Sequence, residues 1–185
     1  MTLNKLKLNR IFLLLLTTLI AFLIGYFSPH KSSFIKQYPT LYRVVKVIDG
    51  DTIKVDIGGE IETVRLTGID TPEIANSYSS REDYFGPEAA RYAKQLMEKR
   101  SVYLIPDPMQ SNRDKYARLL RYVFLEDGTL INAKLIKEGF AFNYIYEPFQ
   151  FMKQFDYLEK RAKENRLGLW AGETIESQNR NAASR

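Results

Sequence analysis

Residues 41–67 read LYRVVKVIDGDTIKVDIGGEIETVRLT and establish the architecture of the domain. Val, Ile and Tyr recur through it at strand-like spacing, which predicts strands at 41–48, 51–57 and 60–67. Gly58 and Gly59 form a two-residue hairpin turn between the second and third strands. The stretch is therefore a β-meander, in which three consecutive strands lie side by side.

The first turn of this meander contains one acid more than a turn requires. Asp49, Gly50 and Asp51 stand between the first two strands. Asp and Gly both favour turns, so Asp49 and Gly50 are explained by the backbone. We interpret Asp49 as a turn residue and Asp51 as a side chain available for chemistry.

The rest of the chain adds helices and further strands. Pro87 begins a predicted helix at 86–100, with Lys99 and Arg100 in its last turn. The pattern then predicts strands at 101–106 and 118–125, a helix at 129–139, an extended segment at 140–146 and an amphipathic helix at 150–166. Antiparallel strands in meander order with interposed helices predict an α+β domain at 41–172. Its expected form is a five-stranded β-barrel of the oligonucleotide-binding (OB) type with about three α-helices.

A separate hydrophobic helix is expected before this domain. Residues 11–27 are uncharged, follow three basic residues and reach the length of roughly 17 residues needed to span a bilayer. No small-residue cleavage site follows them, which favours an uncleaved signal anchor at 1–28 and an extracytoplasmic domain tethered to the membrane. Cleavage would make the protein secreted. Residues 29–40 have the composition of a linker, and residues 173–185 that of a disordered tail.

The net charge of +5 comes from the leader. Residues 1–40 carry five basic and no acidic side chains, whereas residues 41–172 carry 20 of each. The chain has no Cys, and its only His is His30. These counts exclude thiolate chemistry, Cys-ligated metals and a His base in the domain, so acid–base or metal chemistry there depends on carboxylates.

Three acids are expected to converge at one rim of the barrel. Asp51 opens the second strand, while Asp70 and Glu73 follow the third, its neighbour. Carboxylates of this kind suit Ca²⁺. Arg65 lies on the third strand, and a second basic cluster, NRDKYARLLR, occupies residues 112–121. A hard cation beside guanidinium groups suits metal-assisted hydrolysis of a phosphodiester.

Six ordered motifs resemble the staphylococcal (micrococcal) nuclease family, also called thermonucleases. They are IDGDT at 48–52, VRLTGIDTPE at 64–73, FGPEA at 85–89, DKYAR at 114–118, NYIYEP at 143–148 and LGLW at 167–170. Their order and spacing span residues 41–172, which is the chain without its leader and tail.

The resemblance implies a role for each matching residue near the reaction centre. Asp51 and Asp70 match the Ca²⁺ carboxylates, and Thr71 is implied to add its backbone carbonyl. Glu73 matches the proposed general base toward the attacking water. The two arginines on the scissile phosphate correspond to Arg65 and Arg118.

The resemblance also implies the substrate and the reaction. Lys115 and Tyr116 match contacts to a terminal phosphate, and Tyr144 and Tyr146 match tyrosines that line the nucleotide pocket. The expected activity is Ca²⁺-dependent hydrolysis of DNA and RNA, endonucleolytic or exonucleolytic, which breaks the P–O5′ bond and leaves 3′-phosphates. Because the domain has no net charge, single strands or accessible duplex are the expected substrates, and a monomer is the expected state.

The sequence departs from the family in three places. Ala117 replaces the usual Gly before Arg118; if that position requires positive φ, Ala is strained there by about 1 kcal/mol and Arg118 is at risk of being misdirected. Phe85 replaces a Tyr. The loop from Ile74 to Tyr84 lacks the expected lysines.

Other interpretations of these residues remain open from the sequence. The main alternative function is a non-catalytic, membrane-tethered OB-type module that binds nucleic acid or a protein partner. Arg65 also suits a cross-strand ion pair. Arg113 and Arg121 fit solvated or ion-paired roles better than catalysis. Tyr144 and Tyr146 alternate along a predicted strand and so share a face, whether core or pocket.

Overall fold

The computed structural model describes residues 40–74 and 84–171. The predicted anchor at 1–28, the linker at 29–40 except its last residue, and the tail at 173–185 lie outside these ranges, as does most of the loop after Ile74. Within the two described ranges, no helix combines the length and apolar character needed to cross a membrane.

Five strands close into a barrel, as the sequence predicts. Residues 40–74 and 84–171 contain seven strands: β1 (Tyr42–Val47), β2 (Thr52–Ile57), β3 (Glu60–Leu66), β4 (Ile69–Asp70), β5 (Ser101–Ile105), β6 (Leu119–Leu125) and β7 (Phe142–Asn143). The barrel order is β1-β2-β3-β6-β5, and β4 pairs with β7 in a separate two-stranded sheet. Inward-facing side chains such as Val44, Ile53, Val64 and Val123 are fully buried and form the core.

One pair of neighbouring barrel strands is parallel, a feature that the predicted meander of antiparallel strands does not include. Strand β3 runs parallel to β6, with Val64 opposite Leu119 and Arg65 opposite Leu120, whereas the other four barrel pairs are antiparallel. A closed ring of five strands cannot alternate direction at every step, because five is odd. Closure therefore forces one parallel pair, and here it joins the strand of Arg65 to the strand after Arg118.

The β2–β3 hairpin forms where the sequence predicts it. Gly58 and Gly59 adopt φ of 66° and 96°, the left-handed values that a two-residue hairpin turn of this type requires. Gly59 also donates its N–H to Asp56 Oδ1 at 2.8 Å. This turn fixes the register in which Thr52 lies opposite Arg65.

In the part of the chain that the structure describes, three α-helices pack beside the barrel, each shorter than predicted. They are α1 (Gly86–Met97), α2 (Ile131–Lys137) and α3 (Met152–Glu164). Lys99 and Arg100 lie beyond α1 instead of in its last turn. Their backbones bond strand β1: Lys99 N–H donates to Val44 O at 3.0 Å, and Val44 N–H donates to Arg100 O at 2.9 Å. Pairing with the sheet therefore ends the helix.

The predicted extended segment at 140–146 is a strand only at Phe142–Asn143. There it pairs with β4, so that Asp70 lies opposite Phe142. The argument that Tyr144 and Tyr146 share the face of a strand is therefore wrong, because the strand ends before both of them.

One buried amide joins the barrel to helix α2. Asn132 is fully buried; its Nδ2 donates to Thr67 O at 2.9 Å, and its Oδ1 accepts from Val123 N–H at 2.9 Å. The amide therefore fixes the end of β3 against β6. This is the region from which the loop bearing Asp70 departs.

We expect Asn132→Ala to lower the free energy of unfolding by about 3 kcal/mol, because it leaves a buried N–H and a buried carbonyl without partners. Asn165→Ala is the matched control, since Asn165 is exposed and bonds only Arg161 O within its own helix end. Urea denaturation of both variants measures the difference. Equal, small losses would contradict this role for Asn132.

Candidate active site

The turn between β1 and β2 has the form expected for Asp49. Its Oδ1 accepts the backbone N–H of Asp51 at 3.1 Å, so the side chain shapes the turn as predicted. Gly50 has a different reason to be there. A Cβ at this position would lie 2.6 Å from Thr71 Cγ2 and 2.7 Å from its Oγ1. Gly50 therefore permits the close approach of Thr71.

The side chain that Thr71 contacts here is the buried carboxylate of Asp51. Only 5% of the residue is exposed. Its Oδ2 accepts from Thr71 N–H at 2.8 Å and from the Thr71 hydroxyl at 3.1 Å, while Oδ1 accepts from the Thr52 hydroxyl at 3.0 Å. These bonds hold the Asp51 carboxylate in one orientation, and Thr71 supplies two of the donors.

Arg65 connects Asp51 to Asp70. Its Nη1 contacts Asp51 Oδ2, and its Nη2 donates to Asp70 Oδ1 at 2.8 Å. The Arg65 side chain is 15% exposed, whereas that of Asp70 is 50% exposed. The two acids therefore converge on one guanidinium, with Asp70 on the solvent side.

Glu73, the third predicted acid, is exposed. Among residues 40–74 and 84–171, no three His, Cys, Asp or Glu side chains are grouped closely enough to hold a metal ion. The backbone at Glu73 is nevertheless tightly packed, because a Cβ at Gly86 would lie 2.2 Å from the Glu73 carbonyl oxygen. The start of α1 therefore fixes the chain at this residue.

Negative charge exceeds positive charge at the β1–β2 turn. Burial, followed by the charge of Asp51, raises the pKa of Asp49 to about 7, and Arg65 opposes this only in part. Asp49, Asp51 and Asp70 thus all act on the guanidinium of Arg65. Their oxygens are the hard anionic donors that Ca²⁺ prefers, so the donor chemistry fits that cation.

A cleft of about 440 Å³ opens beside Arg65 and is also lined by Lys115, Tyr116, Arg118 and Tyr144. The structure thus brings five of the ten predicted site residues to one cavity. Asp51 and Asp70 do not line it, but both contact Arg65, which does. Tyr146 does not line the cleft, but its ring centroid is 5.1 Å from that of Tyr144.

Asp114, which sequence reasoning missed, organises the loop that carries Arg118. Its Oδ1 accepts from the backbone N–H groups of Tyr116 at 2.9 Å and Arg118 at 3.0 Å. Its Oδ2 accepts from Arg118 Nε at 2.7 Å. Burial disfavours the ionised form, but the bonds and charge of Arg118 outweigh it and lower the pKa of Asp114. The four-residue spacing from Asp to Arg was the available signal.

Positive side chains contact the exposed ring of Tyr116. Lys115 Nζ lies 5.0 Å from its centroid, and Arg118 Cζ lies 5.4 Å away. The residue is 68% exposed, so it adds accessible aromatic surface to a cationic mouth of the cleft. Such a combination suits a nucleotide base beside a phosphate.

We expect Asp49→Asn to stabilise the metal-free protein at about pH 8. A pKa raised in the folded state gives stability that is complete below about pH 4 and is lost as pH rises through about 7. Asn keeps the acceptor for Asp51 N–H and removes the charge. The expected gain is ~2 kcal/mol near pH 8 and almost none near pH 4. Thermal unfolding in a chelator across this pH range measures it.

Asp127→Asn is the control for this experiment. The backbone N–H of Thr129 lowers the pKa of Asp127, so its stabilisation is present at high pH and lost as pH falls. Its replacement should therefore lower stability near pH 8. The same direction of change in both variants would contradict the assignment for Asp49.

Comparison with known proteins agrees with this geometry. A family model described as Staphylococcal nuclease homologue matches residues 63–172. An uncharacterised protein of Methanocaldococcus jannaschii is 34% identical over 75% of this chain and 76% of its own length. Endonuclease YncB of Bacillus subtilis is 40% identical over 68% of this chain and 59% of its own length.

The thermonuclease of Staphylococcus intermedius is 36% identical over 77% of this chain and 83% of its own length. The family model covers more than half of the chain and includes Arg65, Asp70, Glu73 and Arg118. With the five-stranded barrel and the cleft between Arg65 and Arg118, these matches lead to one conclusion: the chain belongs to the staphylococcal nuclease family.

Proposed function

We propose that this protein is a Ca²⁺-dependent phosphodiesterase that hydrolyses DNA and RNA, breaks the P–O5′ bond and leaves 3′-phosphate ends. The observation that carries the proposal is that Arg65 and Arg118 line one cleft, while Asp51 and Asp70 contact Arg65 from its edge. Relatives named thermonuclease and endonuclease support the reaction class.

Asp51 and Asp70 would hold Ca²⁺, with Thr71 and the exposed Glu73 following them in the same segment. Ca²⁺ bound there would neutralise the negative charge that develops on the phosphoryl oxygens. The hydrogen bonds from Thr52 and Thr71 fix the orientation of Asp51 before any ligand binds. Preorganisation of this kind reduces the reorganisation that the reaction needs.

The two arginines would bind the phosphate of the scissile bond. Each guanidinium offers several N–H donors in a plane that matches phosphate oxygens. Arg118 uses Nε for Asp114, which fixes the plane of its guanidinium at the cleft. Glu73 would orient the attacking water and take one of its protons as the water oxygen bonds to phosphorus. The P–O5′ bond would then break, with its electron pair leaving on the 5′-oxygen, which takes a proton from solvent water.

Tyrosines and Lys115 would determine how the nucleotide is bound. Tyr116 and Tyr146 are 68% and 63% exposed, and Tyr144 lines the cleft. Bases stack on exposed aromatic rings regardless of sequence, which favours single strands or accessible duplex and suits both DNA and RNA. Lys115 would contact a terminal phosphate.

We further propose that the protein acts outside the cytoplasm as a monomer. The support comes from the sequence: an uncharged apolar stretch at 11–27 follows three basic residues and lacks a small-residue cleavage site. Residues 1–28 would anchor the domain to the membrane, and cleavage of this leader would release it.

Cleavage of single-stranded DNA and of RNA should require Ca²⁺. Chelation with EGTA should abolish product formation, and added Ca²⁺ should restore it. The products should carry 3′-phosphates, detected by their resistance to 3′-end extension until a phosphatase is added. Cleavage that continues in EGTA, or products with 3′-hydroxyls, would refute the proposed mechanism. Binding without cleavage would favour the non-catalytic module.

Arg118→Ala should lower kcat by about 100-fold or more, because it removes a donor aimed at the developing charge. Arg118 is a cleaner test than Arg65, whose loss would leave the buried Asp51 without its cation and so reduce stability as well. Arg121→Ala is the matched control, since Arg121 bonds Asn112 and Leu120 O and does not line the cleft. Equal losses in both variants would contradict the assigned role.

A further inference from the structure

We propose that Arg113 and Glu62 form a positioning pair that holds the left-handed turn at Ala117, and so directs Lys115 and Arg118 into the cleft. The inference rests on the proposed function and adds to it two residues that act through the loop rather than on the substrate.

The pair joins the loop to the wall of the barrel. Arg113 Nη1 donates to Glu62 Oε2 at 2.9 Å, and Nη2 donates to Oε1 at 2.8 Å, which is the bidentate geometry that only Arg provides. Glu62 lies on strand β3 opposite Val55. Its backbone is therefore fixed by the sheet, so the carboxylate is a firm attachment point.

The same guanidinium reaches the residue where the loop is strained. Ala117 has a φ of 63°, so this position does require the positive φ considered in the sequence analysis. A residue with a Cβ therefore occupies a conformation that favours Gly. Arg113 Nη1 donates to the Ala117 carbonyl at 2.7 Å. This bond favours the orientation that the peptide after Ala117 adopts, and that peptide leads directly into Arg118.

Two sets of side-chain bonds thus hold the loop. Asp114 accepts from the backbone N–H and Nε of Arg118, and Arg113 donates to the Ala117 carbonyl. A bridge between Arg113 and Leu119 closes the base of the loop. The short segment between them carries Lys115, Tyr116 and Arg118.

The exposure of the pair determines what it contributes. The Arg113 and Glu62 side chains are 39% and 32% exposed, and exposed ion pairs add little to global stability. The effect of removing the pair should therefore appear in the order of the loop and in turnover, with little change in unfolding temperature.

Arg113 also lines the cleft, so direct contact with substrate is the competing interpretation. The two interpretations predict opposite results for Glu62→Gln. If Arg113 contacts phosphate, removing the competing carboxylate should tighten binding. If the pair positions the loop, the same change should weaken binding and turnover.

The experiment compares the full-length protein with Arg113→Met, Glu62→Gln and the control Arg161→Ala, which removes an exposed ion pair with Glu164 on helix α3. Amide hydrogen exchange should become about tenfold faster at Ala117 and Arg118 in the first two variants, and remain unchanged at Val64 and Val123 in the barrel. The kcat on single-stranded DNA should fall about tenfold. Binding of a single-stranded oligothymidylate in EGTA should weaken, while Arg161→Ala leaves these quantities unchanged.

Ala117→Gly provides a rescue. Gly adopts the left-handed conformation without strain, so Arg113→Met should lower kcat less in the Ala117→Gly background than in the wild type. Any one of four results would overturn the positioning role. In the variants, amide exchange in the loop could be unchanged, or it could be faster without a loss of kcat. Binding could be tighter in Glu62→Gln, or Ala117→Gly could fail to rescue kcat. If the wild-type protein binds the oligonucleotide but does not cleave it, the proposed function fails, and exchange and binding still decide whether the pair positions the loop.

Discussion

The site depends on the burial of one carboxylate, that of Asp51. A buried charge is costly unless it is paired and hydrogen-bonded, and Asp51 satisfies this requirement with Thr52, Thr71 and Arg65. These partners come from strand β2, from the segment after β4 and from strand β3. One buried acid thereby fixes three parts of the chain relative to one another. The burial of Asp51 also requires Gly50, because any larger residue there would displace Thr71.

Barrel closure places the second arginine. Because β3 and β6 are parallel, with Val64 opposite Leu119, the residues just before β6 lie beside the middle of β3. Arg118 therefore faces the same cleft as Arg65, and Arg113 reaches Glu62 on that strand. An odd number of strands thus has a functional consequence, since the forced parallel pair brings two distant basic residues together.

The two arginines reach the cleft by different means. Arg65 projects from a barrel strand and is held by two acids, one of them buried. Arg118 lies on a loop whose order depends on side chains, chiefly those of Asp114 and Arg113. Ala117 makes this second arrangement more demanding, because its φ of 63° is unfavourable for a residue with a Cβ. The part of the site held by the barrel and the part held by the loop therefore meet at one cleft.

The sequence alone determined the features that depend on near neighbours. The meander and the five-stranded barrel were indicated by alternating Val and Ile residues and by the Gly58–Gly59 turn. The candidate site was indicated by the closely spaced Arg65, Asp70 and Glu73. The tertiary structure alone decided the parallel closure, the short strand at Phe142–Asn143, the ends of the helices and the bond between Glu62 and Arg113. These features join residues far apart in the chain, 51 positions in the last case. Local patterns record which face of an element is buried, but the partner that completes an ion pair or ends a helix is chosen only when distant segments pack together.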